Sequence, residues 1–320
     1  MEIIKLIPRE KGKFHFGRLN LEIDDALFHS DSLFSAICNN YIRNYGDERI
    51  NEFIESFPKI TSLFYGIKKD RNEILFIPKP MKFMLPKQFM EGDRKLAKKI
   101  RFVSLKTYKG YFEGGWDERS DLVYNKDESK DCLYLNEEYS QEDLRLFSNE
   151  EDEKVSINRQ TSVSEEGILY NISSITLEKD VFFYFIVNGI LTEQFKQSLK
   201  LIKDFGIGGK ISTGYGQIKE IAPLSLPDFP DANGNCKASL SIIFPRNSEL
   251  DSAMAYKLIE RKGYIYNSST RRKPLLGFAE GSIFKEDVEG AVVDVSQNSM
   301  PAKRFGKAFL IPFKVSENEA

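Results

Sequence analysis

One eleven-residue run, Gly206-Ile207-Gly208-Gly209-Lys210-Ile211-Ser212-Thr213-Gly214-Tyr215-Gly216, constrains this chain more than any other segment. It holds five glycines and lies between a helical pattern and a strand-like one, Tyr215–Ile221. Thr192 caps the preceding helix, which carries Leu191, Phe195, Leu199 and Ile202 on one stripe. Glycines at this density let the backbone take positive φ and approach a ligand closely. Exposed amides, with Lys210, Ser212 and Thr213, can then receive an anion. A Walker A loop is excluded: Ile211 follows the lysine, and Asp204 stands where the earlier glycine belongs. A dinucleotide fingerprint opens a helix after a strand, the reverse of the order here, and Ile211 replaces its third glycine. A plain helix C-cap at Gly206 followed by a turn accounts for one glycine and leaves four unexplained.

The surrounding pattern supplies the fold class. Residues 2–7 are a short apolar run suited to a buried strand. A helix over Asp31–Tyr45 aligns Phe34, Ile37, Cys38, Tyr41 and Tyr45, with Ser30 or Asp31 as its N-cap. Ile50, Phe53, Ile54 and Phe57 suggest a second short helix stopped by Pro58, and Ile74–Ile77 a strand running into Pro78. From about residue 82 to 165 regular patterning dissolves, as in an insertion. Leu169–Leu177 and Val181–Val187 then read as a hairpin across Glu178-Lys179-Asp180. This is a βαββαβ, ferredoxin-like order with an expanded middle.

Residues 223–234, rich in Pro, Asp, Asn and Gly, read as a linker. Beyond it Ala238, Leu240, Ile242 and Phe244 alternate as a strand, and Ser248-x-x-Asp251 opens a helix aligning Leu250, Met254 and Leu258. Strands follow at Tyr264–Asn267, Leu275–Phe284, Ala291–Val295 and Phe305–Phe313. The expected fold is therefore α+β, with two ferredoxin-like (RRM-like) domains, the first bearing the long insertion and the glycine-rich loop. The boundaries are 1–222, linker 223–234, and 235–320.

Composition narrows the function. With 320 residues, 41% hydrophobic and 29% charged, the chain can bury two cores. No apolar stretch approaches a membrane span, and the N-terminus lacks the basic-then-apolar layout of a signal peptide. Three scattered cysteines, Cys38, Cys132 and Cys236, fit a reducing cytoplasm. Two histidines, His15 and His29, leave little for a metal site, so neither metal nor cofactor is expected. The net charge of −2 argues against a generally basic nucleic-acid coat, but its distribution is uneven. Residues 79–109 carry ten Lys/Arg against two acids, whereas residues 113–153 carry fifteen acids against four Lys/Arg. The basic stretch suits a polyanion.

Several short clusters could carry chemistry. Phe28-His29-Ser30-Asp31 puts a histidine and an aspartate at a helix start. His29 could act as a general base in RNA cleavage, but no partner acid is evident, and the cap-and-contact reading is preferred. Asn158-Arg159-Gln160-Thr161 offers a guanidinium and neighbouring polar groups to phosphate. Arg271-Arg272 falls in a hairpin loop, and Lys303-Arg304 enters the last strand, whose sequence RFGKAFLIPF loosely resembles the aromatic RNA-stacking signature of RRM sheets. Tyr215 could stack on a base or pack against its own sheet.

Together FHSDSLFSA, INRQTS followed by GILYN, GIGGKISTGYGQI and the terminal KRFGKAFLIPF resemble the RAMP superfamily of CRISPR proteins. Within it they look like the fourth Csm subunit family of type III-A effector complexes, the Cas-five-like subunit at the foot of the complex, over nearly the whole chain. The resemblance implies a cytoplasmic, non-catalytic RNA-binding protein of antiviral defence that grips the 5′ handle of CRISPR RNA. It also implies contacts with the large cyclase-like subunit and with the backbone RAMP subunit. Carried over by motif, Gly206, Gly208, Gly209, Lys210, Ser212, Thr213, Gly214, Tyr215 and Gly216 would hold the handle, and Asn158, Arg159 and Thr161 would lie near the RNA. His29, Arg271, Arg272, Lys303 and Arg304 complete the candidate RNA-binding set. His29 and Asp31 sit where the backbone subunit's cleaving aspartate arises, with Asp31 in a helix-cap context. The alternative within the superfamily is an endoribonuclease that processes repeat RNA with His29 as base.

Overall fold

The computed structural model describes residues 1–10, 12–17, 26–70, 72–86, 89, 96–113, 115–125, 131–139, 144–157, 164–225 and 234–315. Its spine is a sheet in the order β12-β1-β11-β4-β5-β6-β8-β7, with β3 paired to the end of β11. These strands are β1 (Glu2–Pro8), β3 (Lys59–Ile60), β4 (Phe64–Lys69), β5 (Asn72–Pro78), β6 (Phe102–Ser104), β7 (Leu122–Tyr124), β8 (Cys132–Leu135), β11 (Val181–Asn188) and β12 (Ile218–Leu224). Helices α1 (Ser30–Tyr45) and α2 (Ile50–Glu55), and the later α5 (Glu193–Lys200) and α6 (Ile202–Phe205), lie on one face.

The continuous apolar run of β11 explains its central place. Phe183, Phe185 and Val187 point into the helix-side core with Ile4, Leu6, Phe34 and Ile37. Phe182, Tyr184 and Ile186 point the other way, into a second core shared with Leu240, Ile283, Ile311 and Phe313 of the C-terminal unit. Alternate side chains of a strand face opposite sides, so a strand buried on both faces must be apolar at every position. The central strands run β12-β1-β11-β4, all antiparallel; the place beside β11 is taken by β4, which the sequence did not mark, and the expected strand at Ile74–Ile77 lies one position further out, in β5.

Other expectations are corrected. The strands around Glu178–Asp180 do not form a hairpin. Strand β10 (Ser164–Leu177) pairs with β2 (Lys13–Phe14) and with β9 (Phe147–Ile157), while β11 joins the main sheet. Period-two patterning identifies strands but not partners. The insertion is more regular than its sequence suggests: β6 and β8 extend the main sheet, and short helices α3 (Leu96–Lys99) and α4 (Leu105–Gly110) flank them. Tyr108 and Tyr134 there are fully buried.

In the C-terminal unit the expected helix at residues 250–258 is absent. A short 3₁₀ segment, Asn247–Ser252, is held by Glu249, whose carboxylate accepts the amides of Arg246, Glu289 and Gly290 at 2.8, 2.8 and 3.2 Å. The chain then enters β14 (Ala253–Ala255) and β15 (Leu258–Arg261). Among the described residues this unit contains no α-helix; it is built from β13 (Cys236–Ser239), β14, β17 (Ile283–Phe284) and β20 (Leu310–Phe313) in one sheet. Two ribbons complete it: β15 with β16 (Leu275–Phe278), and β18 (Gly290–Asp294) with β19 (Lys303–Lys307). Tyr264–Asn267 is a turn closed by a Tyr264–Arg271 bridge, not a strand. The fold is mixed α+β and mostly sheet, and no helix among the described residues is long and apolar enough to cross a membrane.

Candidate nucleic-acid interface

The glycine run is a compact turn built against β2. Helix α6 ends at Gly206, at φ +74°, whose amide donates to the Ile202 carbonyl at 2.8 Å. Gly209 N–H then donates to the His15 carbonyl at 2.8 Å, Gly216 N–H to the Lys13 carbonyl at 2.7 Å, and Ile207 N–H to the Gly216 carbonyl at 2.9 Å. A Cβ on Gly216 would lie 2.0 Å from the Ile207 oxygen, so only glycine permits this approach. At Gly214 (φ +93°) space is open and only the backbone conformation calls for glycine. Much of the glycine density thus serves the loop's own packing, and the Gly209 and Gly216 amides are spent within the protein.

The two sides of this turn face different surroundings. Gly206, Gly208 and Gly209 line a cleft of about 470 Å³ between the helix side of the N-terminal unit and the 261–272 segment of the C-terminal unit. His29, Arg272 and Arg304 line the same cleft, so six of the sequence-identified residues converge there. On the other side Ser212, Thr213, Gly214 and Tyr215 border a broader depression with Arg9, Lys13 and Lys154. Tyr215 is not available for base stacking: it is 4% exposed, and its hydroxyl donates to Asp152. Lys210 Nζ stands 5.5 Å from the centre of the Tyr170 ring. Arg271 is exposed beside Tyr264, and Lys303 donates to Asn51 Oδ1 at 2.8 Å. Asn158, Arg159 and Thr161 lie outside the described residues.

At the base of the cleft is a charge cluster that the sequence did not reveal. Asp31 neither caps α1 nor faces solvent. His29 takes the cap position without a side-chain bond, and Asp31, fully buried, receives Arg261 Nε at 3.0 Å and Nη2 at 2.9 Å, plus Nη1 of Arg304. Burial alone would raise its carboxyl pKa, but the Arg261 and Arg304 charges and the bond from Arg261 hold it well below the usual range. Arg304 also donates to the Lys262 carbonyl at 2.6 Å. Arg272 is the third guanidinium, reaching only Ser35 Oγ at 3.3 Å among the side chains of the described residues. Burial pushes its pKa down to about 10, and the nearby Arg304 and Arg261 charges add to that against the opposing pull of Asp31.

His29 is 4% exposed, and its Nδ1 lies 2.9 Å from Glu280 Oε1. Glu280 also accepts the Ser62 hydroxyl, and its carboxyl is held down by His29 and these bonds against the cost of burial. The ring is thereby tied to the C-terminal unit. Arg43 at the cleft mouth was likewise missed; its guanidinium lies 3.8 Å from the Phe205 ring centre, and it donates to the Tyr266 hydroxyl. Its only sequence signal was a basic residue in the last turn of α1. Among the described residues no group of three or more His, Cys, Asp or Glu is arranged to hold a metal ion.

Comparison with known proteins fits this arrangement. Residues 18–219, spanning the helices and the glycine turn, match the RAMP superfamily. Residues 232–313 match the CRISPR Csm4 C-terminal domain. The CRISPR system Cms protein Csm4 of Methanocaldococcus jannaschii is 33% identical, over 92% of this chain and 89% of that protein. Its counterpart from Streptococcus thermophilus is 26% identical, over 90% of each. The chain belongs to the Csm4 family of the RAMP superfamily. Among solved structures, a chain of the Csm3–Csm4 subcomplex of the type III-A CRISPR-Cas interference complex superposes with a TM-score of 0.73 at 30% identity, covering 98% of this chain and 99% of that one. A chain of a Csm1–Csm4 cassette in complex with cA4 shares the fold, with a TM-score of 0.61 at 17% identity over 99% and 98% of the two chains.

Proposed function

We propose that this chain is a non-catalytic RNA-binding subunit of a type III-A CRISPR-Cas effector complex, working in the cytoplasm in antiviral defence. It holds the 5′ handle of CRISPR RNA and bridges the large cyclase-like subunit to the backbone RAMP subunit. The two units, 1–222 and 235–320 joined by the linker, would frame the RNA between them. The observation that carries this reading is the cleft where the glycine turn meets three arginines. A chain of net charge −2 cannot hold RNA by bulk charge, so its grip must be local, and here the cations are concentrated on one wall. Family membership supports the assignment, and the Csm3–Csm4 and Csm1–Csm4 assemblies of related chains support the two protein partners.

The test is purification from the native host with sequencing of co-purified RNA. One shared repeat-derived 5′ end is expected, and RNA with scattered 5′ ends would refute handle binding. A second reading, repeat-RNA cleavage, has the His29–Glu280 pair in its favour, since a carboxylate can orient a histidine base. Against it, His29 is deeply buried and tied to both units. Purified chain incubated with repeat RNA is expected to yield no product; product from wild type, lost in His29→Ala, would reverse the ranking.

A further inference from the structure

We infer that Arg272 is the seat of one phosphate of the bound RNA, an assignment that rests on the RNA-binding reading of the cleft. Among the described residues, three guanidinia gather about the Asp31 carboxylate at its base. Arg261 and Arg304 both bond Asp31, so one carboxylate faces three guanidinium charges, and Arg272 is the one it does not bond. Among the described residues Arg272 has no carboxylate partner. Its side chain makes one long, neutral hydrogen bond to Ser35, and its Nε is buried with no hydrogen-bond partner.

A guanidinium carries five donors in a rigid fork, and leaving them desolvated and unpaired is costly. Here the neighbouring Arg261 and Arg304 add repulsion to that cost. A phosphate supplies what the site lacks: negative charge and oxygens matched to the fork. The space agrees, because about 470 Å³ is the size of a small-molecule pocket and has room for one nucleotide of a strand. Tyr264, 55% exposed at the same cleft, offers a ring to the attached base or sugar. The glycine turn contributes shape, since its Gly209 amide is already bonded to His15, and the arginine contributes the charge.

The same phosphate chemistry could arrive as an RNA phosphodiester or as a free nucleotide, and the experiment separates them. Full-length wild type, Arg272→Gln and Arg272→Lys are titrated with handle-bearing single-stranded RNA over a range of salt, and with adenosine monophosphate or inorganic phosphate by thermal shift. Arg272→Gln is expected to weaken RNA binding about tenfold or more, the scale of one charge-assisted contact. Its salt slope should fall by about 0.7, the value for one phosphate on a single strand. Arg272→Lys should restore the slope but not the full affinity. Without ligand, Arg272→Gln should melt at or above wild type, because it removes an unpaired charge. Unchanged affinity and slope would overturn the assignment, and so would a ligand-free variant melting several degrees lower, which is the mark of a structural arginine.

If wild type fails to bind handle RNA, the RNA reading falls. Protection of wild type but not Arg272→Gln by adenosine monophosphate would then reassign the seat to a free nucleotide and overturn the RNA source. Absence of protection from any probe would overturn the seat itself.

Discussion

Asp31→Asn is the sharpest test of how the two halves are held together. The carboxylate is fully buried and takes three bonds from two arginines that come from the C-terminal unit. Asparagine keeps the shape but removes the charge, taking from Arg261 and Arg304 the carboxylate that both bond. Removing one partner of a buried ion pair costs about 3–5 kcal/mol, because the remaining charge stays desolvated. That is a large part of a typical net stability of roughly 5–15 kcal/mol. At about 2 °C per kcal/mol for a chain of this size, the melting temperature should fall by roughly 6–10 °C. Scanning calorimetry measures this, and Arg304→Met in the same background isolates the Asp31–Arg304 coupling through a double-mutant cycle. A variant that melts within a degree of wild type would refute the clamp and reopen a chemical role for the aspartate.

Two further predictions come from the same geometry. Asp31 and Glu280 both have folded pKa values below the ordinary carboxylate values of roughly 3.9 and 4.3, so their stabilisation is complete above those values and is lost as pH falls through the folded ones. Wild type should therefore lose melting temperature steeply below about pH 4, and Asp31→Asn should show a shallower acid limb in the same calorimetric series. Gly216→Ala and Gly214→Ala should differ sharply although both glycines have positive φ. The first meets the Ile207 oxygen as well as the backbone penalty and should cost about 2–5 kcal/mol, whereas the second pays only about 1–2 kcal/mol; thermal melts rank them, and equal effects would contradict the close approach.

The elements that the sequence made legible are those set by short-range periodicity and capping. The continuous apolar run of Val181–Asn188, the α1 stripe of Phe34, Ile37, Cys38 and Tyr41, and the Thr192 cap, whose hydroxyl accepts the Phe195 amide, could all be read without the fold. So could the glycine turn, because positive φ at Gly206, Gly208, Gly214 and Gly216 is a local demand. Errors arose where local pattern had two continuations. Residues 169–177 could pair with either neighbour, and Ser248–Asp251 could start an α-helix or stop as a short 3₁₀ segment once Glu249 found the amides of Glu289 and Gly290.

The site divides in the same way. Sequence alone determined the glycine turn, the candidate arginines, and the absence of enough bulk charge to hold a polyanion unaided. Tertiary structure alone decided what each does. Asp31 meets Arg261 and Arg304 across 230 and 273 residues, Tyr215 turns inward to Asp152, and Arg272 has no carboxylate partner among the described residues. Ion pairing and burial depend on distances through space, which no spacing along the chain encodes. The same three letters, Arg, could therefore mean a structural clamp at two positions and an open charge at the third.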